Sequence, residues 1–444
     1  MTACQSASAA MPGRALQSEP LLEPAAATVD GRTPLAAAPA LSEPTVRPPV
    51  LAAVAEKREF AALRRDLHAH PELGFAEHRT AAEVARRLAS WGYAVSTGIG
   101  GTGVVGTLRR GSGARSIGLR ADMDALPMQE ANSFAHRSRH HGRMHACGHD
   151  GHTTILLAAA WYLARHGRFE GTLHCIFQPA EEGGQAGARA MIEDGLFTRF
   201  PCDRVFALHN WPGQPVGWWG VRSGPFMASS NRFEILVQGK GGHASRPDWA
   251  VDPLPAAAQI LLGLQTVMSR DRPPEDAAVL SVTQIHGGDA VNVIPDQARL
   301  AGTVRTHESA TLDLIENRMR TIVEGIGIAH GCEARLIFER NYPALVNDSD
   351  ATQAVVRILT SLDGAQQVDS AAPRLMNSED FAFMLEAVPG AYVLLGNGDG
   401  SHRDAGHGLG PCMVHNPSYD FNDALLPLGA EYFVALVEDQ LPAA

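Results

Sequence analysis

Cysteine is scarce in this chain. Six occur in 444 residues, at Cys4, Cys147, Cys175, Cys202, Cys332 and Cys412, and their spacing has none of the regularity of a disulfide framework. A reducing cytoplasm is the expected compartment. Long hydrophobic runs are also missing. The longest, Ile155 to Ala164, is too short to cross a bilayer and is expected to form one buried helix, so no membrane partner is expected. Basic side chains are outnumbered, 37 against 48 acidic ones, and the formal charge of −11 argues against nucleic acid as a partner.

What is present is the composition of an ordinary globular protein, 45% apolar and 19% charged, in a chain long enough for two domains. Residues 1–50 are rich in Ala, Pro and Ser and are expected to be disordered rather than a packed domain or a secretory signal. From Glu56, Phe60, Leu63 and Leu67 recur at helical spacing up to Pro71, and a second helix is predicted over about Thr80 to Trp91. Apolar runs at Ser116 to Leu119, Thr172 to Phe177, Val205 to Leu208 and Ala391 to Leu395 are predicted as buried strands. Helices over Thr153 to Arg165 and Gly187 to Glu193 fall between them. This alternation predicts an α/β domain with a mostly parallel sheet flanked by helices, formed by residues 51–225 and 342–444. The middle of the chain, residues 226–341, changes to the order βαββαβ, an inserted α+β domain of ferredoxin-like type.

The chemistry-bearing residues cluster in a few runs. Cys147 and His149 stand two apart in the segment Met144 to Asp150 (MHACGHD). If that segment is extended, both side chains project to one side and can share a cation, and a thiolate with imidazole and carboxylate partners suits zinc better than calcium or magnesium. An isolated Cys-x-His triplet is by itself more often a buried cysteine beside a surface histidine. The second run, Gln178 to Gly184 (QPAEEGG), sets Glu181 and Glu182 just past a predicted strand. Adjacent acids are usually a solvated surface pair, but the carboxyl ends of strands are where α/β sheets place their sites. His209 ends the next predicted strand, and His415 lies in a loop near the C-terminus. Asp122 and Asp124 end the strand from Ser116 and are expected to orient metal ligands. His145 and His152 are further candidates for that outer layer, and the remaining histidines are read as structural or exposed. Gly101 to Gly106 (GTGVVG) matches the dinucleotide fingerprint in letters only, because it precedes a strand instead of opening a helix.

Over about residues 56–440 the chain resembles a family, the metal-dependent aminoacylase and carboxypeptidase superfamily. Within it the likeness is to the branch of hippurate hydrolases, auxin-conjugate hydrolases and N-acetyldiaminopimelate deacetylases. The similarity rests on RDLHAHPELG (65–74), RADMDALP (120–127), MHACGHDGH (144–152), QPAEEGG (178–184), GKGGHASRP (239–247), NVIP (292–295) and SEDF (378–381). The resemblance implies that Cys147, His149, Glu182, His209 and His415 hold two divalent metals, with Cys147 as the bridge. Manganese or zinc is implied, with nickel or cobalt as alternatives. It implies Glu181 as general base, His243 as the group that steadies the developing oxyanion, and Asn292 and Arg305 as the grip on a substrate carboxylate. It also implies an inserted domain that serves as lid and homodimer interface, with His243 reaching the active site of the second copy. The loop Asp399 to Pro411, with His402 and His407, matches none of these motifs.

The implied activity is hydrolysis of the amide bond of N-acyl-L-amino acids, with dipeptidase or carboxypeptidase action as the alternative within the superfamily. The Cys-x-His motif in place of the more usual His-x-Asp favours the acyl-amino-acid branch. Two other readings are weaker. A cysteine hydrolase with Cys147 as nucleophile and His149 as base needs a geometry that residues two apart cannot easily adopt. A binding protein that has lost catalysis would be expected to lack a ligand or the base, and this sequence lacks neither.

Overall fold

The computed structural model describes residues 49–403 and 405–443. The expectation of disorder for residues 1–50 falls outside the described residues except at its end, where Pro49 and Val50 open a helix. The helices are α1 (Pro49–Glu56), α2 (Arg58–Ala69), α3 (His78–Ser90), α4 (His149–His166), α5 (Gly187–Glu193), α6 (Pro253–Thr266), α7 (Ser309–Ala329), α8 (Ser349–Asp363), α9 (Phe381–Ala387) and α10 (Leu425–Gln440). The principal strands are β1 (Ala94–Ile99), β2 (Gly103–Arg110), β3 (Ser116–Asp122), β4 (Gly171–Gln178), β5 (Arg204–Trp211), β6 (Ser230–Gln238), β7 (Ala278–His286), β8 (Gln297–Thr306), β9 (Glu333–Tyr342) and β10 (Gly390–Gly396).

An eight-stranded sheet runs in the order β1-β2-β4-β3-β5-β10 and ends in the short strands Trp219–Gly220 and Val368–Asp369. Its centre, β4-β3-β5-β10, is parallel, and β1 and β2 add antiparallel at one edge. The apolar runs that build β4, β5 and β10 are buried along nearly their whole length, as a sheet covered on both faces requires. One cover is α4, whose residues 149–163 are all buried, so its apolar residues need no single stripe. It packs closely on α10, where a Cβ added at Gly429 would come within 2.8 Å of the Ile155 side chain. The edge strand β1 was not legible in the sequence, because AVSTGI is half exposed and lacks a continuous apolar run.

A second, four-stranded antiparallel sheet has the order β7-β8-β6-β9. With α6 and α7 between its strands in sequence, it has the βαββαβ order and a ferredoxin-like arrangement. Its own core joins Phe233, Ile235 and Val237 of β6 to Ile260 and Leu264 of α6 and Ile315, Met319 and Val323 of α7. Helix α6 starts where Asp252 accepts a hydrogen bond from the Leu254 N–H at 2.9 Å and Pro253 presets the first turn. The GTGVVG run crosses the turn from β1 into β2, and no helix follows it. Among the described residues, no helix is long and apolar enough to cross a membrane.

Candidate active site

Three neighbouring parallel strands carry the site at their carboxyl ends. Asp122 ends β3 and Asp124 lies two residues on, Glu181 and Glu182 follow β4, and His209 lies near the end of β5. Cys147 and His149 arrive from the other side, and here the extended segment expected from the sequence is corrected. Gly148 is left-handed, with φ 97°, and His149 is the first residue of α4, so a tight turn and not a strand brings the sulfur and the ring to one side. A left-handed residue costs a side chain about 1–2 kcal/mol. A Cβ at Gly148 would also collide with Asn210 and with the Tyr419 hydroxyl, which leaves glycine as the residue that fits. Ala180 (φ 51°), next to Glu181, and His415 (φ 62°) adopt the same region without being glycine, a strain of the kind that collects at functional sites.

Asp124 organises the turn of acids. Its carboxylate accepts from Glu181 N at 3.1 Å and Glu182 N at 3.0 Å, and lies 3.2 Å from His149 Nδ1. Asp122 is 2.7 Å from His152 Nδ1 and 3.7 Å from His149 Nε2. Cys147 Sγ is 3.3 Å from His209 Nε2, and His415 Nε2 is 3.1 Å from Glu182 Oε1. Among the described residues five sets have ligand atoms within 4.8 Å of one another, and three of them consist only of expected ligands and Glu181: Cys147, His149 and His209; Cys147, Glu182 and His415; and His149, Glu181 and Glu182. The five residues expected as metal ligands, together with Glu181, meet in one place.

The donor set fits a metal. His149 Nε2 is buried and has no hydrogen-bond partner among the described residues. Burial, reinforced by His152, holds His209 well below the usual histidine range, which keeps the imidazole neutral as a ligand must be. Sulfur, imidazole nitrogen and carboxylate oxygen in one cluster, buried at Cys147, His149 and His209 and open at His415, are the ligands of a borderline divalent cation. Burial, together with Glu379 and Glu182, raises Glu181 well above the ordinary carboxylate range.

The cluster floors a cleft of about 530 Å³, a volume usual for a small-molecule site. Arg305, on β8, reaches the same cleft and donates to Ser378 Oγ at 2.7 Å. His243 and Asn292 are not there. They sit on neighbouring hairpin segments of the inserted region, where Val293 pairs with His243, and both line a separate cleft. The described residues of the loop Asp399 to Pro411 do not line this cleft, and His402 Nε2 lies 3.2 Å from the Asp420 carbonyl instead.

Arg120 and Tyr342 went unread in the sequence, whereas His145 and His152 are among its candidates for the layer around the ligands. Arg120 is 1% exposed and donates to Asp122 (2.7 Å), Gln178 (2.7 Å), Glu379 (2.9 Å) and Asp380 (3.3 Å), tying the ends of β3 and β4 to the start of α9. Tyr342, at the end of β9, donates its hydroxyl to the Glu181 carbonyl at 2.6 Å. His152, besides its bond to Asp122, accepts from Asn210 N at 3.0 Å and so supports the strand bearing His209. His145 is buried, and neither ring nitrogen has a hydrogen-bond partner among the described residues. The only signal for Arg120 was an arginine inside a buried apolar strand, a position tolerated when acids surround it.

Residues 118–439 match the family model described as Peptidase family M20/M25/M40. A hippurate hydrolase of Campylobacter jejuni is 42% identical over 378 residues, covering 85% of this chain and 95% of the relative. An N-acetylcysteine deacetylase of Bacillus subtilis is 38% identical, covering 84% and 94%. Among solved structures, the Bacillus subtilis YXEP protein, described as a dinuclear metal binding peptidase, matches with a TM-score of 0.74 and 34% identity over 87% of this chain and 98% of that one.

Proposed function

The chain belongs to peptidase family M20/M25/M40, and from that premise we propose that it is a metal-dependent amidohydrolase that splits N-acyl-L-amino acids into a carboxylic acid and a free amino acid. The observation that carries this reading is the convergence of buried Cys147, His149 and His209 with half-buried Glu182 and exposed His415 beside the buried carboxyl group of Glu181. Hippurate hydrolase and N-acetylcysteine deacetylase, the names of the two relatives, both denote cleavage of an acyl group from an amino acid.

In this reading the five residues would hold a pair of divalent cations, manganese or zinc, with nickel or cobalt as alternatives. Such cations acidify a water and polarise an amide carbonyl when bound. Glu181, made a stronger base by burial and by its acidic neighbours, takes the proton of the attacking water and returns it to the departing amine. Asp122 and Asp124 hold the imidazoles and the backbone of the acidic turn in place. Arg305 grips the substrate carboxylate with its planar fork and aligns the scissile bond.

His243 and Asn292 act from a second copy. Within one chain they line a different cleft, on a surface where Val291, Val293 and Trp249 stand 106%, 52% and 64% exposed, so we take the inserted region, residues 226–341, as lid and homodimer interface. The five cysteines among the described residues are unpaired, which supports the cytoplasm as compartment.

The test is a substrate screen. Apoprotein reconstituted with each metal is given N-acetyl, N-benzoyl and indoleacetyl amino acids alongside dipeptides and peptides with free C-termini. Turnover of acyl amino acids that chelation removes and metal restores supports the proposal. Preference for peptides would move the assignment to a dipeptidase or carboxypeptidase, and indifference to chelators would favour a cysteine hydrolase.

A further inference from the structure

Two guanidinium groups face the catalytic cleft, and the reaction as proposed uses one. In the four-stranded sheet Arg232 of β6 pairs across to Thr303 of β8, and Arg305 lies two residues beyond Thr303. Side chains alternate along a strand, so Arg232, Thr303 and Arg305 share one face while Phe233 and Val304 point into the helix-covered core. Arg232 and Arg305 line the cleft together with Glu181 and Glu182, and Thr303 lines the groove that adjoins it.

Both arginines lack an anionic partner. Among the described residues neither forms an ion pair, although Glu339 stands across from Arg232 in β9 and Glu234, two residues along β6, is engaged by Arg299. Arg232 donates to the Gly183 carbonyl at 3.2 Å and Arg305 to Ser378 Oγ at 2.7 Å, each a single bond from a group that carries five donors. They are close enough that Arg232, after burial, helps to lower the pKa of Arg305. Two like charges placed together on one wall repel unless a counter-charge arrives. One bidentate arginine already satisfies one carboxylate. The two are also tied to different walls, Arg232 to the loop after Glu182 and Arg305 to the segment before Glu379, so they are poised to meet separate groups.

Building on the amidohydrolase reading above, we propose that the preferred substrates are N-acyl amino acids with two carboxylates, the α-carboxylate held by Arg305 and a second one held by Arg232. The second carboxylate belongs either to an acidic side chain, as in N-acetylglutamate, or to the far end of a dicarboxylic acyl group, as in an N-succinyl amino acid. Either presents the same charge to the rim of the cleft.

The test compares kcat/KM for each acidic substrate with that for its neutral isostere: N-acetylglutamate against N-acetylglutamine, and N-succinylalanine against its terminal amide. The wild-type protein should favour the acidic member of at least one pair by about tenfold, the lower range for a charge-assisted bond at a partly exposed site. The pair that shows the preference identifies the source of the second carboxylate. In Arg232→Gln the preference should collapse toward one, Arg232→Lys should retain part of it, and Arg232→Glu should reverse it. A wild-type ratio near one in both pairs overturns the inference. So does an Arg232→Gln protein that loses acidic and neutral substrates equally, because that result assigns Arg232 to holding the Gly183 loop. If no acyl amino acid is hydrolysed with any metal, the amidohydrolase reading itself falls, an outcome separate from a mere absence of preference.

Discussion

Replacing Arg120 by methionine tests whether the site is built around a buried charge. The side chain is 1% exposed and stands between Asp122, Glu379 and Asp380, with Gln178 as a fourth acceptor. Methionine keeps the length and apolar volume but leaves three carboxyl groups with no cation among them. Burial, opposed by Arg120 and reinforced by Glu379, already holds Asp380 up to about 8, so the cluster has little tolerance for losing its one guanidinium. Removing one partner of a buried ion pair costs about 3–5 kcal/mol. The individual hydrogen bonds, about 1.5–3 kcal/mol each to charged groups, are not additive within such a network and do not raise that figure. We therefore expect Arg120→Met to lose about 3–5 kcal/mol in urea unfolding followed by circular dichroism at pH 7.5. Adding Glu379→Gln should recover about 1–2 kcal/mol, since it removes one of the stranded charges. Because Asp122 loses its 2.7 Å anchor, metal affinity of the folded fraction should fall about 10–100-fold. An Arg120→Met protein within about 1 kcal/mol of the wild type would refute the reasoning.

Other outcomes follow from the same geometry. Glu181→Gln should keep its metals, measured by elemental analysis, while kcat falls by about 10²–10⁴, and full activity would exclude the general-base role. Arg305→Ala, at a half-buried site, should raise KM for carboxylate-bearing substrates about tenfold or more, and an unchanged KM would count against the carboxylate grip. His174, on β4, is held down at about 4 by burial and lies 2.9 Å from Thr107 Oγ1. It stays neutral when folded and takes up a proton when unfolded below about pH 6.5. The folded state therefore loses stability as pH falls from about 6.5 toward 4. Relative to His174→Gln, the wild type should be about 2 kcal/mol worse off at pH 4.5 than at pH 7, and a gap that does not change with pH would rule this out.

The parallel core was readable because its signal is local. The runs at β4, β5 and β10 are apolar throughout, and strands buried on both faces have that composition wherever they occur. The inserted region was readable for the same reason, since the periodicity of β6, α6 and α7 follows their own buried faces. At the site, Glu181, Glu182 and His209 were legible from their places at strand ends. The Cys147 and His149 pair does meet the other candidate ligands, but through a turn in place of the extended segment that the spacing suggests. A Cys-Gly-His triplet fits an extended strand as well as a left-handed turn at the head of a helix, and the choice is made by the crowding of Asn210 and Tyr419 against Gly148.

By itself the sequence determined which residue types are available, in what order, and on which kinds of element they lie. Those properties depend on neighbours a few positions apart. The tertiary structure alone decided that a cysteine at 147 meets a histidine at 415, that Arg120 meets acids some 260 positions away at Glu379 and Asp380, and that Tyr342 closes over the Glu181 carbonyl. It also decided that His243 and Asn292 stand in a different cleft from the candidate metal ligands. Such contacts are selected by how layers pack and how strand ends align, a choice made by the whole core at once, and no short window of residues carries it.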